Sequence, residues 1–310
     1  MNVHKGAAAY KNDRGSVVTI GTFDGVHVGH ATILKHLAKT ATALDLDSVL
    51  LTFFPHPRMV LQKDHSIKML HTLDEKKKHI ATLGIQHLIV HPFTQEFSRL
   101  SATEYVRDIL VNKLKAKKII IGYDHRFGRN RTADINDLKE FGKTYNFSVE
   151  EISAQALDDV AVSSTKVRSA LKHGDISTAN NYLGYDYQIS GVIVKGKAIG
   201  RTINYPTANL KPTETYKLIP KEGVYVTQAT IDSTTYFGIT SIGTNPTVGG
   251  TKETIETFFL DYKGDLYGHQ LTLSFLTHIR DEAVFDAIDS LKQAIARDER
   301  FARDFIKNRE

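Results

Sequence analysis

The chain has 310 residues, of which 41% are hydrophobic and 24% charged, which supplies apolar material for two folded cores and excludes a disordered or coiled-coil protein. Forty basic against 35 acidic side chains leave a formal charge of +5, compatible with phosphate-bearing ligands as well as with nucleic acid. The absence of cysteine excludes a disulfide framework, a Cys-type zinc site and a thiol nucleophile.

The N-terminal MNVHKGAAAYKNDRGS is polar and lacks the apolar core of a secretory signal. No later stretch approaches the roughly 20 apolar residues of a membrane span, so a soluble cytoplasmic protein without a membrane partner is expected. From Ser16 to Ile152, short apolar runs (Ser16–Gly21, Ser48–Phe53, His87–His91, Lys117–Gly122 and Phe147–Ile152) alternate with helix-period stretches such as Ala102–Leu114 and Asp134–Tyr145. Successive parallel strands need helical crossovers, so this alternation predicts an α/β domain. Its parallel sheet is covered on both faces and takes ligands at the carboxyl ends of its strands.

The grammar changes around Tyr182–Tyr187, and the boundary is set near Leu183. Beyond it, Gln188–Lys195, Gly223–Ile231, Thr235–Ile242, Thr254–Leu260 and Gln270–Thr277 read as strands with few intervening helices. Asp281–Ala296 carries Val284, Phe285, Ile288, Leu291 and Ile295 at helical spacing, which predicts one amphipathic helix packed on a small closed β-barrel.

The first apolar run leads into Gly21-Thr-Phe23-Asp24-Gly25-Val-His27-Val-Gly29-His30, with Ile33, Leu34 and Leu37 following at helical spacing. The three glycines permit a tight turn, and His27 and His30 share one face of the first helical turn, where a helix N-terminus favours anions. An isolated H-x-x-H is more often a chance pair on a solvated face or a metal pair; here the surrounding glycines point to a polyphosphate cradle. A second candidate cradle is Val162-Ser163-Ser164-Thr165-Lys166-Val167-Arg168, whose hydroxyls precede a short helix and whose Arg168 can reach back over it. Taken alone, that segment reads as an ordinary helix cap.

The histidine string resembles the adenylyltransferase signature of the bifunctional riboflavin kinase/FAD synthetases, within the wider nucleotidyltransferase superfamily. Further along, Thr52-Phe-Phe-Pro55-His56-Pro57, the stretch Phe93–Ser101, Gly122-Tyr-Asp124-His-Arg126-Phe127-Gly128 and the Ser-Ser-Thr-x-x-Arg set are similar to the family's motifs in the same order. The resemblance implies a Rossmann-like domain over residues 1–184 that transfers AMP from ATP to FMN and releases pyrophosphate. It implies ATP contacts from Gly21, Phe23, Asp24, Gly25, Gly29, Ser163, Ser164 and Thr165, charge stabilisation by His27, His30 and Arg168, and flavin contacts from Pro55, His56, Asp124, Arg126 and Phe127. The FMN phosphate is already an anionic nucleophile, so alignment and charge stabilisation suffice without a strong base. The family more often has an aromatic residue where His125 stands.

Past the boundary, Gly191-Val-Ile-Val-Lys-Gly196-Lys-Ala198 nearly matches a phosphate loop, but Ala198 replaces the metal-binding hydroxyl and no helical run follows. The informative stretch is Gly191 to Leu210, with Gly196, Gly200, Arg201 and Pro206-Thr207-Ala-Asn209, which resembles the riboflavin kinase signature; Asn204 stands where many family members have glycine. Thr207 and Asn209 offer oxygen ligands to Mg²⁺, and Gly196, Gly200 and Arg201 fall where ATP phosphates would lie. Glu256, in Glu-Thr-Phe-Phe-Leu-Asp, matches the family's acidic strand residue and is suited to accept the proton of riboflavin's hydroxyl, with Phe258 replacing a common histidine. A lone Glu on an alternating strand would ordinarily face solvent. Arg280-Asp-Glu-x-x-Phe285 resembles the family's closing signature and implies a flavin contact from Arg280.

The resemblance covers the chain from about Val17 onward. It implies riboflavin phosphorylation by residues 185–310 and FMN adenylylation by 1–184, with MgATP used twice and small molecules rather than nucleic acid as partners. The competing expectations are a chain that keeps only one activity and a basic nucleic-acid-binding or regulatory protein on the same scaffold. The latter predicts lost phosphate ligands, whereas the signature residues are present.

Overall fold

Each apolar run between Ser16 and Ile152 forms a strand of one sheet whose neighbouring strands all run parallel. The computed structural model describes residues 1–12, 14–62, 67–122, 125–152, 162–196, 200, 203–247 and 250–309. The chain divides into two units, Met1–Ser163 and Ser164–Glu310.

The first unit runs β1 (Asn2–Lys5), β2 (Ser16–Ile20), α1 (Val28–Ala43), β3 (Asp47–Phe54), α2 (Pro57–Leu61), α3 (Leu73–Ala81), β4 (His87–Pro92), α4 (Gln95–Ser98), α5 (Ala102–Glu104), β5 (Ala116–Gly122), α6 (Ile135–Tyr145) and β6 (Ser148–Ile152). The sheet order is β1-β4-β3-β2-β5-β6. Val17, Leu50, Leu88 and Ile120 pack with Ile33, Leu34 and Leu37 of α1 and Ile80 of α3. Their alternates Val18, Val49, Leu51, Ile119 and Ile121 pack with Val106, Leu110 and Leu138 on the other face. Burial on both faces is why these strands read as unbroken apolar runs; each buried aliphatic side chain contributes about 1.5–3 kcal/mol. The predicted helix Ala102–Leu114 forms as one α turn followed by a π-helix over Tyr105–Lys113. The strand order reverses at β2, with β3 and β4 on one side and β5 and β6 on the other, so the turn leaving β2 sits where open parallel sheets take their ligands.

The second unit begins with α7 (Ser164–Lys172) and α8 (Ile176–Leu183) and continues through β7 (Tyr187–Val194), β8 (Ala208–Pro212), β9 (Gly223–Ile231), β10 (Thr234–Thr247), β11 (Gly250–Phe259) and β12 (Gln270–Arg280) to α9 (Ile288–Lys307). The strands close into a barrel in the order β10-β11-β8-β7-β12-β9. Tyr187, Tyr225 and Phe275 fill its interior. Buried Thr227, Thr240 and Thr257 satisfy one another through hydroxyl contacts of 2.7 and 2.8 Å. On β9, Val224 and Val226 alternate outward, where they pack with Phe258, Ala302 and Phe305.

Helix α8 is tied to this barrel: the Asn180 amide donates to the Phe275 carbonyl at 2.8 Å and accepts from the Tyr187 N–H at 2.8 Å. The helix expected over Asp281–Ala296 is displaced towards the C-terminus, to Ile288–Lys307. Val284 is 95% exposed and precedes the helix, and Ile288 is 65% exposed. The helix instead buries Ala294, Ala302 and Asp298, whose carboxylate receives the Arg280 fork at 2.8–3.2 Å.

Candidate active sites

In the first unit, His27 caps α1: its Nδ1 accepts the His30 N–H at 3.4 Å. A neutral His27 therefore carries its proton on Nε2, as an outward N–H donor. The His30 ring stacks on His27 with centroids 3.7 Å apart and touches Phe23 at 4.8 Å. Burial pushes His27 down to about 4, partly opposed by Asp24. Burial also holds His30 well below the usual histidine range, reinforced by His27 and Lys76. Both rings are neutral donors at physiological pH, and among the described residues the buried Nδ1 of His30 has no hydrogen-bond partner. Either ring can donate an N–H to an incoming anion, and no group of three or more His, Cys, Asp or Glu able to hold a metal occurs among the described residues.

The turn between β2 and α1 faces partly inward. Asp24 is 1% exposed and accepts the Leu70 and His71 N–H groups at 3.0–3.3 Å, and Phe23 lies in the core with its ring against Gly21. These two residues support the turn whose glycines and histidines line the cradle. His56 caps α2 by accepting the Arg58 N–H at 3.2 Å, next to an exposed Pro55. Phe127 packs inward on Tyr105 and Phe141, bracing the loop that carries exposed Arg126. Ser163 closes the first unit, whereas Ser164, Thr165 and Arg168 stand on α7 of the second. Asp124 and Arg201 lie outside the described residues.

The depressed histidines carry a stability consequence. The unfolded chain takes up a proton near 6.5 but folded His27 only near 4, so between these values acid favours unfolding; at about pH 5 this group alone costs about 2 kcal/mol. Thermal melts of residues 1–163 are expected to move down steadily as pH falls from about 7.5 to about 5. A flat melting temperature over that range would contradict the burial of these rings.

In the second unit, the strand register assembles the polar set. Glu256 on β11 lies directly opposite Asn209 on β8. Thr207 donates its hydroxyl to the Glu256 carboxylate at 3.2 Å. Ser241, opposite Glu256 on β10, donates to Glu282 at 3.2 Å and was not anticipated from sequence. A side chain at Gly196 would meet the Asn209 amide at 2.4 Å, and one at Gly200 the Tyr205 carbonyl at 2.1 Å, so only glycine fits at these two positions. Asn204 has φ 64, a left-handed conformation that asparagine tolerates best after glycine, which accounts for its standing in for the family's glycine. Phe258 packs edge-on against Tyr205 at 5.1 Å. A cleft lined by Pro206, Thr207, Tyr262, Leu266 and Tyr267 opens beside Thr207. Arg280 directs its guanidinium to Asp298 and its Nη1 to the Asp281 carbonyl, and stacks over Phe285 at 5.7 Å.

A donor cradle at a sheet's reversal point in one unit, and hydroxyl, amide and carboxylate groups facing one another on a barrel in the other, define the class as a two-unit phosphate-transferring enzyme. Comparison with known proteins narrows that class. A family model for FAD synthetase matches residues 9–166 and one for riboflavin kinase matches 183–306. Bifunctional riboflavin kinase/FMN adenylyltransferases from Escherichia coli (strain K12) and Listeria monocytogenes are 35% and 33% identical over 94% and 95% of this chain and 93% of each relative. The chain belongs to the bifunctional riboflavin kinase/FMN adenylyltransferase family.

A crystal structure described as a macrolide-efflux protein from Streptococcus pneumoniae superposes with a TM-score of 0.89 at 30% identity, covering 97% of this chain and 98% of that one. No helix among the described residues is long and apolar enough to cross a membrane, and that likeness bears on the fold.

Proposed function

We propose that the two steps of FAD formation are divided along the chain, with residues 185–310 phosphorylating riboflavin to FMN and residues 1–184 transferring AMP from ATP to FMN. The observation that carries this reading is the meeting of Thr207, Asn209 and Glu256, brought together by strand register across a sequence separation of up to 49.

Riboflavin's terminal hydroxyl is neutral and needs to lose a proton as its oxygen attacks the γ-phosphorus of ATP. Glu256, on a rigid strand, accepts that proton while ADP departs. The oxygens of Thr207 and Asn209 beside a carboxylate fit a hard cation and would hold Mg²⁺. Bound there, Mg²⁺ neutralises phosphate charge. Gly196 and Gly200 bring backbone amides against the ATP phosphates, and the cleft beside Thr207 takes the rest of the nucleotide.

In the other step, the FMN phosphate attacks the α-phosphorus of ATP and pyrophosphate leaves. His27 and His30 donate to the β- and γ-phosphates. No proton has to be removed from the nucleophile, so neutral imidazoles that donate without titrating suit the task.

Incubation with riboflavin, ATP and Mg²⁺, followed by chromatography over time, tests this directly: FMN should rise first and FAD follow. FMN alone would sink the second activity, and neither product would sink both. The division of labour predicts that residues 164–310, expressed alone, make FMN but no FAD. A fragment starting at 185 lacks the Asn180 ties of α8 and is expected to melt at a lower temperature than the longer one. A folded 164–310 fragment without riboflavin-dependent ADP release would show that the kinase borrows residues from the first unit.

A further inference from the structure

Lys76, in the Lys76-Lys77-Lys78 run of α3, is only 3% exposed. Lys77 pairs with Asp74 at the surface, whereas the Lys76 ammonium turns inward and donates to the Thr22 carbonyl at 2.7 Å. Burying an ammonium is costly unless other groups compensate it, and one carbonyl with Asp24 nearby is modest compensation.

What the lysine holds is a strained turn. Phe23 and Val26 have φ values of 46 and 36, conformations that side chains other than glycine rarely adopt and that persist only where surroundings impose them. The imposition comes from one short segment: Leu70 and His71 grip Asp24 through their N–H groups, and Lys76 grips Thr22. The same carbonyl also accepts from Thr52 at 3.2 Å. Immediately beyond the turn stand His27 and His30.

We propose that Lys76 is a positioning residue of the adenylyl-transfer site, its buried ammonium fixing the Thr22 carbonyl and hence the turn that presents His27 and His30 to the phosphates of ATP. This rests on the reading of that turn as the phosphate cradle. The fixed charge has a second effect. The charged and titratable groups around His30 are His27, Lys76 and, through its pull on both of these, Asp24. Burial chiefly, then His27 and the lysine beside it, hold His30 well below the usual histidine range, so that it donates without exchanging a proton.

The test compares Lys76→Met, which removes donor and charge, with Lys76→Arg, which keeps both, in the full-length chain. FMN formation by the same polypeptide is the internal control and should be unchanged. FAD formation from supplied FMN is expected to fall by about 10²-fold in the Met variant, in kcat more than in the KM for FMN, the scale at which small misplacements of reacting groups act. The Arg variant should recover about tenfold of that loss. NMR titration of His30 should show its pKa rising towards the ordinary histidine value in the Met variant, since a like charge has been removed.

FAD formation within about threefold of the parent in Lys76→Met would overturn the proposal, as would equal losses in both variants with an unmoved His30 titration. If the Met variant lacks a cooperative melt, Lys76→Leu, which likewise has neither donor nor charge, takes its place, with the same readouts and the same thresholds. His30→Ala, run alongside, separates the claims. If it abolishes FAD formation while Lys76→Met does not, only the role of Lys76 falls; if it is harmless, the cradle reading falls and this proposal with it.

Discussion

Glu256→Gln is expected to lower conversion of riboflavin to FMN by about 10²–10⁴, the usual contribution of a positioned general base, while conversion of supplied FMN to FAD continues at the parental rate. The substitution preserves side-chain size, and the Gln carbonyl can still accept the Thr207 hydroxyl that the carboxylate now receives at 3.2 Å. The strand pairing that sets residue 256 against Asn209 is a backbone property and survives. What disappears is the carboxylate proposed to accept riboflavin's hydroxyl proton. The rate is to be read where chemistry limits turnover, because slow ADP or FMN release would mask a chemical defect. Parental riboflavin phosphorylation under those conditions would make Glu256 a structural strand residue and leave the base unassigned.

Why the Glu256 cluster was only half legible in sequence follows from the strands that build it. Pro-Thr-Ala-Asn and the Glu-x-x-x-Leu-Asp strand are recognisable as separate motifs, but their meeting depends on the register of β8 on β11, a long-range pairing with no local trace. Strand β8 gave no strand signal because Ala208–Pro212 mixes a proline, a lysine and an asparagine with one fully buried residue, Leu210. The parallel sheet was easier at its centre, where β2 and β3 are buried on both faces and read as unbroken apolar runs. β1 was missed for the opposite reason, as a polar edge strand held by pairing with β4 and by the 3.0 Å contact of His4 with His87 rather than by apolar content.

The C-terminal helix shows where periodicity misleads. Val284 fits an apolar stripe by spacing, yet Asp281 is drawn to Lys221 at 2.7 Å and Glu282 to Ser241, and the chain stays out of the helix until Ile288. The helix then docks through small residues and an Asp298–Arg280 pair, neither of which a hydrophobic pattern registers. Three consecutive lysines carry no mark of which one turns inward, and the phase that buries Lys76 with Ile80 is set by a helix that starts at the capping box of Thr72 and Glu75. In the histidine turn, the residue types that speak of phosphate were plain. That Phe23 and Asp24 of the same string serve the turn's interior became visible only with their burial and partners.

The histidine turn yields the other large effect. His30→Ala should leave FMN formation intact and lower FAD formation from supplied FMN by about 10²–10³, the usual cost of losing one preorganised donor to developing charge. The variant is a clean deletion at this site. The capping hydrogen bond of His27 is received from the backbone N–H of residue 30, so it persists when the imidazole is removed, and α1 keeps its start. The ring's stacking on His27 and its contact with Phe23 are lost, which frees space rather than leaving an unpaired charge, because the buried imidazole is already neutral. Since the donor acts on phosphates that carry more charge as pyrophosphate separates, the loss should fall mainly on kcat, with the KM for FMN little changed. His27 should retain part of the function through its Nε2–H, so the double variant is expected to lose more than either single one. FAD synthesis at the parental rate in His30→Ala would sink the reading of the histidine turn as the phosphate cradle of ATP.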